Sequence, residues 1–514
     1  MKKSQVRRSV HFAMAFALVM SQMLLLAPTT AYAAPTVVVN STGDGNDQSP
    51  GDGSCDTGGV VGAAAECTLR AAIEETNAGP ADEVFFSIPP SDPGAAGGVF
   101  TIEPATALPW IGQRVTVDGT TQPGHLDKPI VILDGSRAAP APGGTDGLLI
   151  DADRVVVRGL VVRNFADDGI EIHGNRNTVI GNHIFANDDG VLIEGGDRNI
   201  VGGTTLGERN VISANRGHGV SIDASDLSEV HGNYIGLDPT GAASASNGGN
   251  GVEIWNGTSR TAVGPENVIS GNGGDGVRTA DTSSRITIVG NRIGTDAAGS
   301  TPVPNGGDGI HADTDDISIT DNHIGGNGGS GVRLDGQRAV VEGNLIGTDS
   351  SGTGPVPNSK HGIYVAPGTN GSSIGGIGAG NVIAFNDAAG VALADSVDAR
   401  AAIISNSIFS NGGLGIDIPG PTPGPNPNDL GDNDTGPNDL LNHPVITSLE
   451  ETAGVVYLDF DLDVPSGGYR VEVFRNPTGS DPSGYGEGHE LVTSLNVQST
   501  GGASSFSLTF SGAA

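Results

Sequence analysis

The sequence predicts an all-β chain wound as a right-handed parallel β-helix, a solenoid with an N-terminal capping helix and a small C-terminal β-sandwich module. Three observations predict it. A glycine followed by a short aliphatic strand recurs at Gly147, Gly169, Gly190, Gly219, Gly251, Gly276, Gly309, Gly331, Gly362, Gly390 and Gly415. Asparagine stands four residues before most of these glycines, at Asn215, Asn247, Asn272, Asn305, Asn327, Asn358, Asn386 and Asn411. Within each strand the apolar first and third residues (Ile170 and Ile172, Val220 and Ile222, Val332 and Leu334) enclose a residue that is usually polar.

Each observation has a physical reading. Apolar residues two apart share one face of a strand, so each repeat buries one face and exposes the other. The glycine frees a corner that a side chain would obstruct. Stacked asparagine amides ~4.8 Å apart can hydrogen-bond along the solenoid axis. Intervals of 21 to 33 residues hold no helix-period pattern for a βαβ crossover and too little chain for a four-stranded propeller blade. Parallel crossovers within a sheet are right-handed.

A second strand follows in each coil, marked by Gly-Asn-x-Ile around Asn182, Asn233, Asn291 and Asn344. The longer coils add related loops at Ile235–Asp238, Ile293–Asp296 and Ile346–Asp349, which the spacing predicts as a wall beside the glycine-led sheet. Solenoid ends need covering. Leu69, Ala72 and Ile73 share one face of a helix within Cys67–Asn77, the predicted N-terminal cap. After Pro419 the chain turns rich in Pro, Asn and Asp, and strands around Val455–Leu462, Tyr469–Phe474, Leu491–Val497 and Ser504–Phe510 follow. They are fewer than the ~7 strands of an immunoglobulin-like sandwich and read as a truncated one. The expected organisation is a signal peptide at 1–33, cap and first strands at 34–118, β-helix repeats at 119–419, a linker at 420–443 and the sandwich-like module at 444–514.

The leader reading rests on basic Lys2, Lys3, Arg7 and Arg8, an apolar stretch from Phe12 to Ala27, and Ala31-Tyr32-Ala33 before a cleavage point. Removing it takes four positive charges and no acids from a chain of net charge −34, leaving −38. Such a surface repels phosphate backbones and anionic lipid, so nucleic acid and membrane insertion are excluded as partners of the mature chain. Secretion to an oxidising exterior makes a Cys55–Cys67 disulfide the default, worth about 3 kcal/mol.

Cys67-Thr68-Leu69-Arg70-Ala71-Ala72-Ile73, after a Gly/Asp-rich run ending in Cys55-Asp56, resembles the CSLREA segment of bacterial exported proteins. Asp118-Gly119-Thr120-Thr121-Gln122-Pro123-Gly124, the Ile-Gly-Thr-Asp loops and Asp481–Gly488 are also similar to that family. Ala71 departs from it, since the family carries an acidic residue there. The resemblance implies a pectin-lyase-like β-helix at the cell exterior and implies no particular reaction.

Two clusters are candidates for chemistry. Asp168-Gly169-Ile170, Asp188-Asp189-Gly190-Val191 and Gly217-His218-Gly219 fall on successive coils and resemble three polygalacturonase motifs, which implies a catalytic set of Asp168, Asp188, Asp189 and His218. A glycosidase needs one carboxyl group to protonate the leaving oxygen and another to serve the nucleophile. The sequence departs from those motifs at Ala166-Asp167 and at Glu253-Ile254-Trp255, where Asn-Thr and Arg-x-Lys are expected. Asp146, Asp275 and Asp308 also precede starting glycines, so Asp-Gly equally reads as a corner whose carboxylate bonds the turn backbone.

The second cluster is the outward strand face. Glu171, Glu253, Trp255, Arg278, His311, Arg333 and Tyr364, with Asp313 and Asp335, offer the aromatic and charged groups of a sugar-binding groove, or else a solvated face of charge pairs. His173, His183, His231 and His323 show no metal-ligand spacing and read as surface positions. Asp429, Asp432, Asp434 and Asp439 supply oxygens for calcium or form a hydrated acidic linker. No cofactor is required. The reading is a monomeric, secreted polysaccharide-binding β-helix with a hydrolase activity on extended glycans such as pectin-like polymers. A non-catalytic surface or adhesion module, and a polysaccharide lyase, are the alternatives.

Overall fold

The computed structural model describes residues 36–141, 144–280, 282–420, 424–477, 479 and 487–511. The leader reading at 1–33 and most of the Asp481–Gly488 motif lie outside them. Among the described residues three sheets wrap one apolar core. The first has 13 strands, from Thr36–Val39 to Ala401–Ile403; the second has 13, from Ala95–Ala96 to Ser407–Phe409. The third has 11, from Leu148–Ile150 to Ile416–Asp417, and each follows one of the starting glycines. Apart from the hairpin of Ala95–Ala96 with Val99–Ile102, all pairings in these sheets are parallel. The chain is a right-handed parallel β-helix.

The alternation read from the sequence sets the core. Ile170, Ile172, Val191, Ile193, Val220 and Ile222 are wholly buried. Each such side chain contributes about 1.5–3 kcal/mol. The starting glycines are required for closeness rather than for a left-handed backbone. A Cβ on Gly219 would lie 2.5 Å from Ile235 Cγ2 and 2.6 Å from the Gly251 carbonyl.

Two asparagine ladders run along the axis inside the corners. The predicted one continues from Asn187 through Asn215, Asn247, Asn272, Asn305, Asn327, Asn358 and Asn386 to Asn411. The second joins Asn182, Asn210, Asn233, Asn267, Asn291, Asn322, Asn344, Asn381 and Asn406. In each, one amide nitrogen donates to the next coil's amide oxygen and to a strand carbonyl, which satisfies groups that burial would otherwise penalise.

The three loops that begin Ile-Gly, expected as a wall beside the third sheet, pack over the outer face of the second sheet instead. Each is a hairpin closed by a bridge (Leu237 with Ser244, Thr295 with Pro302, Thr348 with Pro355). They stack on one another through Ala297 N to Gly241 O and Ser350 N to Gly299 O. The reason is apolar. Tyr234 and Val268 face outward on the second sheet and are buried by Leu237, Val303 and Ala297.

At the N-terminal end the helix α1, Leu69–Ala78, is capped by Thr68, whose hydroxyl accepts from the Ala71 amide at 3.1 Å. Cys55 and Cys67 form a disulfide with Cα atoms 5.3 Å apart. Arg70 pairs with Asp44 and donates to the Thr106 and Ala107 carbonyls, so the cap ion pair forms without an acid at Ala71. At the other end, antiparallel sheets of three strands (Val445–Thr452, Val455–Val464, Gly502–Ser511) and two strands (Gly467–Arg475, Glu490–Ser499) pack on Leu458, Phe460, Leu462 and Val497. This module is seated on the last coil. Asn411 donates to Glu487 at 3.0 Å, and Ser405 donates to Glu472.

Candidate functional site

The third sheet positions every residue of the two predicted clusters, because its strands present their second and fourth residues outward and their corners at one edge. Along that edge runs a third ladder. Asp146 accepts from the Asp168 amide at 3.1 Å, Asp168 from Asp189 at 2.9 Å, and Asp189 from His218 at 2.5 Å. His218 Nδ1 accepts from Asn250 at 3.0 Å, and Asn250, Asp275 and Asp308 continue it to Ser330. Acceptance at Nδ1 fixes His218, when neutral, as the Nε2–H tautomer. The corner role read for Asp-Gly is therefore present at Asp168 and Asp189 too, and occupies one oxygen of each.

The other oxygen of each carboxyl group is free of that duty. Burial pushes Asp168 up to about 8; the Asp189 amide opposes this, and the charges of Asp189, Asp167 and Asp146 add to it. Burial also raises Asp189, against the His218 amide. Asp146 rises to about 7, through burial and then its contact with Glu171. Asp188 stands apart, exposed and 3.5 Å from Arg216. Asp167 completes a triad with Asp146 and Asp168 whose oxygens lie within 4.8 Å of one another. The sequence had signalled Asp167 only as a departure from a motif.

The outward face forms one connected chain of contacts. Asn250 hydrogen-bonds Glu253, which lies 3.9 Å from Arg278, itself 3.8 Å from Asp275. His311 bridges Asp275 through Nδ1 at 3.3 Å and Asp335 through Nε2 at 2.9 Å. Burial lowers its pKa, but those two carboxylates outweigh it and lift it to about 9. Arg333 pairs with Asp335 at 3.0 Å and lies over the Tyr364 ring, 5.4 Å from its centroid, while His361 stacks on the same ring. Trp255 is 39% exposed at the end of Val252–Trp255. Asp275, which the repeat marked only as a corner, is a working member of this network.

Glu171 and His173 point outward together, with Glu194 on the next strand. His173 Nε2 lies 2.8 Å from Glu171 Oε1 and 3.2 Å from Glu194 Oε2. That corrects the reading of His173 as a histidine without ligand neighbours. His323 is likewise no surface residue: it is 7% exposed, and its Nε2 donates to the Thr348 carbonyl at 2.6 Å. His183 is buried enough to push its pKa down to about 4. On the second sheet, Arg209, Tyr234, Arg292 and His323 line a cavity of about 480 Å³ beneath the stacked loops. In the acidic segment Asp429, Asp432 and Asp434 gather within 4.8 Å, whereas Asp439 is withdrawn into a two-pronged pair with Arg400. No helix among the described residues is long and apolar enough to cross a membrane.

Residues 142–298 match the family described as "Periplasmic copper-binding protein (NosD)", and residues 266–422 that described as "Right handed beta helix region". No curated protein sequence matches the chain. Similar solved structures include the A-module of a mannuronan C-5 epimerase from Azotobacter vinelandii, at 17% identity over 66% of this chain and 89% of that one, TM-score 0.34. A surface adhesin of Streptococcus pneumoniae matches at 9% identity over 65% and 84%, TM-score 0.39. The Dettilon tailspike protein matches at 12% identity over 92% and 94%, TM-score 0.45. By its own strand order, and across the stretch 266–422, this is a right-handed parallel β-helix protein.

Proposed function

We propose that the chain binds an extended glycan along the outer face of the third sheet, at the cell exterior. One observation carries the reading. From Glu253 to Tyr364 the outward side chains of successive strands form a continuous row of charged and aromatic groups at the ~4.8 Å strand spacing. A polymer with repeating units meets repeating donors on such a row, and the half-exposed Trp255 ring gives a sugar face an apolar platform. Arg278 and Arg333 suit hydroxyl or carboxylate groups, whereas the exposed Asp188 at the N-terminal end disfavours an anionic sugar there. Affinity electrophoresis against neutral, acidic and amino polysaccharides tests the reading. Trp255→Ala should weaken retention by the retained glycan about tenfold, equivalent to about 1.4 kcal/mol. Retention by none of them would sink it.

A hydrolytic reading is favoured by one further feature, the buried Asp168 beside Asp189 on adjacent coils. A carboxyl group that keeps its proton near neutrality can give it to the leaving glycosidic oxygen as the C–O bond breaks. The second carboxylate then takes a proton from the attacking water, or attacks the anomeric carbon itself. Asp189→Asn keeps an oxygen to accept the His218 amide. It should abolish release of reducing ends while binding persists. Undiminished release would remove Asp189 from the chemistry, and release by neither protein would leave a binding module.

A further inference from the structure

We infer that Glu171, His173 and Glu194 form a binding site for one divalent transition-metal ion on the outer face of the third sheet. The inference stands apart from glycan binding. It begins with register. Ile170 pairs with Val191 and Ile172 with Ile193, so the pairing carried one residue on places His173 opposite Glu194. Glu171, two residues earlier, shares their outward face.

The geometry is that of a chelate with one nitrogen and two oxygens. A single ring atom, His173 Nε2, faces both carboxylates, at 2.8 Å and 3.2 Å, and the three ligand atoms lie within 4.8 Å of one another. Zinc holds nitrogen and carboxylate oxygen at about 2.0–2.2 Å, which sets neighbouring tetrahedral ligand atoms about 3.4 Å apart. An ion therefore needs the two nitrogen–oxygen separations to open by only about 0.2–0.6 Å. Glu194 is half-exposed, so it can move that far and leave a fourth position open to water. Glu171 is the more fixed ligand, because its side chain is largely buried.

Asp275, Asp308 and His311 also bring one ring nitrogen and two carboxylates within 4.8 Å, but there Asp275 and Asp308 each give an oxygen to the next coil's backbone amide, and His311 is held between Asp275 and Asp335 by its two ring nitrogens. Asp146, Asp167 and Asp168 offer no nitrogen. A mixed imidazole and carboxylate set selects a transition metal over calcium, which takes oxygen ligands in greater number. One coil further, Asp223 stands opposite Trp255 in the same row, and its Oδ1 is buried without a hydrogen-bond partner.

The test is calorimetric titration of the full chain, stripped with a chelator, with zinc and separately with calcium. One zinc per chain is expected at this site. His173→Ala should lose it, and Glu194→Gln should weaken it by at least about tenfold. Melting without metal checks that each variant is folded, and Glu194→Gln, at an exposed position, keeps the test open if His173→Ala is not. Cobalt gives a second readout, because its visible spectrum reports the ligand set and should change in His173→Ala. Zinc affinity equal in wild type and both variants, or no zinc bound at all, would overturn the inference.

Discussion

Asp168 shows how one side chain can serve the fold and still be equipped for chemistry. One oxygen accepts the Asp189 amide at 2.9 Å, and burial keeps a proton on the group up to about pH 8. The folded chain therefore holds a proton that the unfolded chain, with the ordinary carboxyl value of 3.8, releases. Stability falls with rising pH wherever the native state binds more protons. The stabilisation linked to this proton is thus present at low pH and is lost as pH rises from about 4 through 8. Asp168→Asn has no such proton to lose and keeps an oxygen for the amide. Urea midpoints between pH 5 and pH 9 should fall less steeply in that variant, with Asp146 and Asp189 retaining part of the slope. Identical slopes would mean that Asp168 is ionised in the fold. The aspartates were legible one by one in the sequence. Their ladder was not, because its rungs join residues 21 to 33 positions apart.

Among the elements, the asparagine ladders hold the corners in register. Asn272 is buried, donates to Asn305 at 2.9 Å and to the Ile235 carbonyl at 3.3 Å, and accepts from Asn247 at 2.9 Å. Asn272→Ala removes these bonds and leaves a small void, at a cost of about 3 kcal/mol. Urea unfolding should report that loss; a change below about 0.5 kcal/mol would show that the ladder decorates the corner without holding it. Four of the nine rungs of the second ladder escaped the Gly-Asn pattern because Arg209, Glu266, Asp321 and Ser405 stand where glycine was sought. Glu266, Asp321 and Ser405 occupy the left-handed backbone that glycine adopts more readily. The loops were misplaced for a different reason: their position depends on an apolar patch formed by Tyr234 and Val268 from adjacent coils, which a linear pattern does not show. The acidic turn carries its own proposal. If Asp429, Asp432 and Asp434 hold calcium, millimolar calcium should raise the melting temperature above that with chelator, since a ligand bound only by the folded state stabilises it. Equal midpoints would leave a hydrated turn.

At the scale of the whole molecule, the coil repeat was legible because burial enforces a period of two on most third-sheet strands, while the closure of its ends was only half legible. The N-terminal helix declared itself through Leu69, Ala72 and Ile73. The C-terminal closure depends on single residues of a distant module. Asn411, the last rung, has no following asparagine, and the Glu487 carboxylate accepts from both its backbone and its side-chain nitrogen, at 3.1 Å and 3.0 Å. Glu472 does the same for Ser405, at 2.8 Å and 2.7 Å, and the His489 ring stacks on Phe409 at 3.9 Å. These contacts substitute for a further coil, and charged acceptors make them stronger than neutral ones. Replacing both acids, Glu472→Ala with Glu487→Ala, leaves buried donors unpaired at the open end. Local opening should then outrun global unfolding. Hydrogen exchange at the Ser405 and Asn411 amides should accelerate at least about tenfold, as expected for about 1.4 kcal/mol lost locally, while amides at Val220 and Val252 in the middle coils keep their protection. Unchanged exchange at the last coil would show that the module rests on the solenoid without sealing it, and equal acceleration throughout would show that the whole chain opens as one unit.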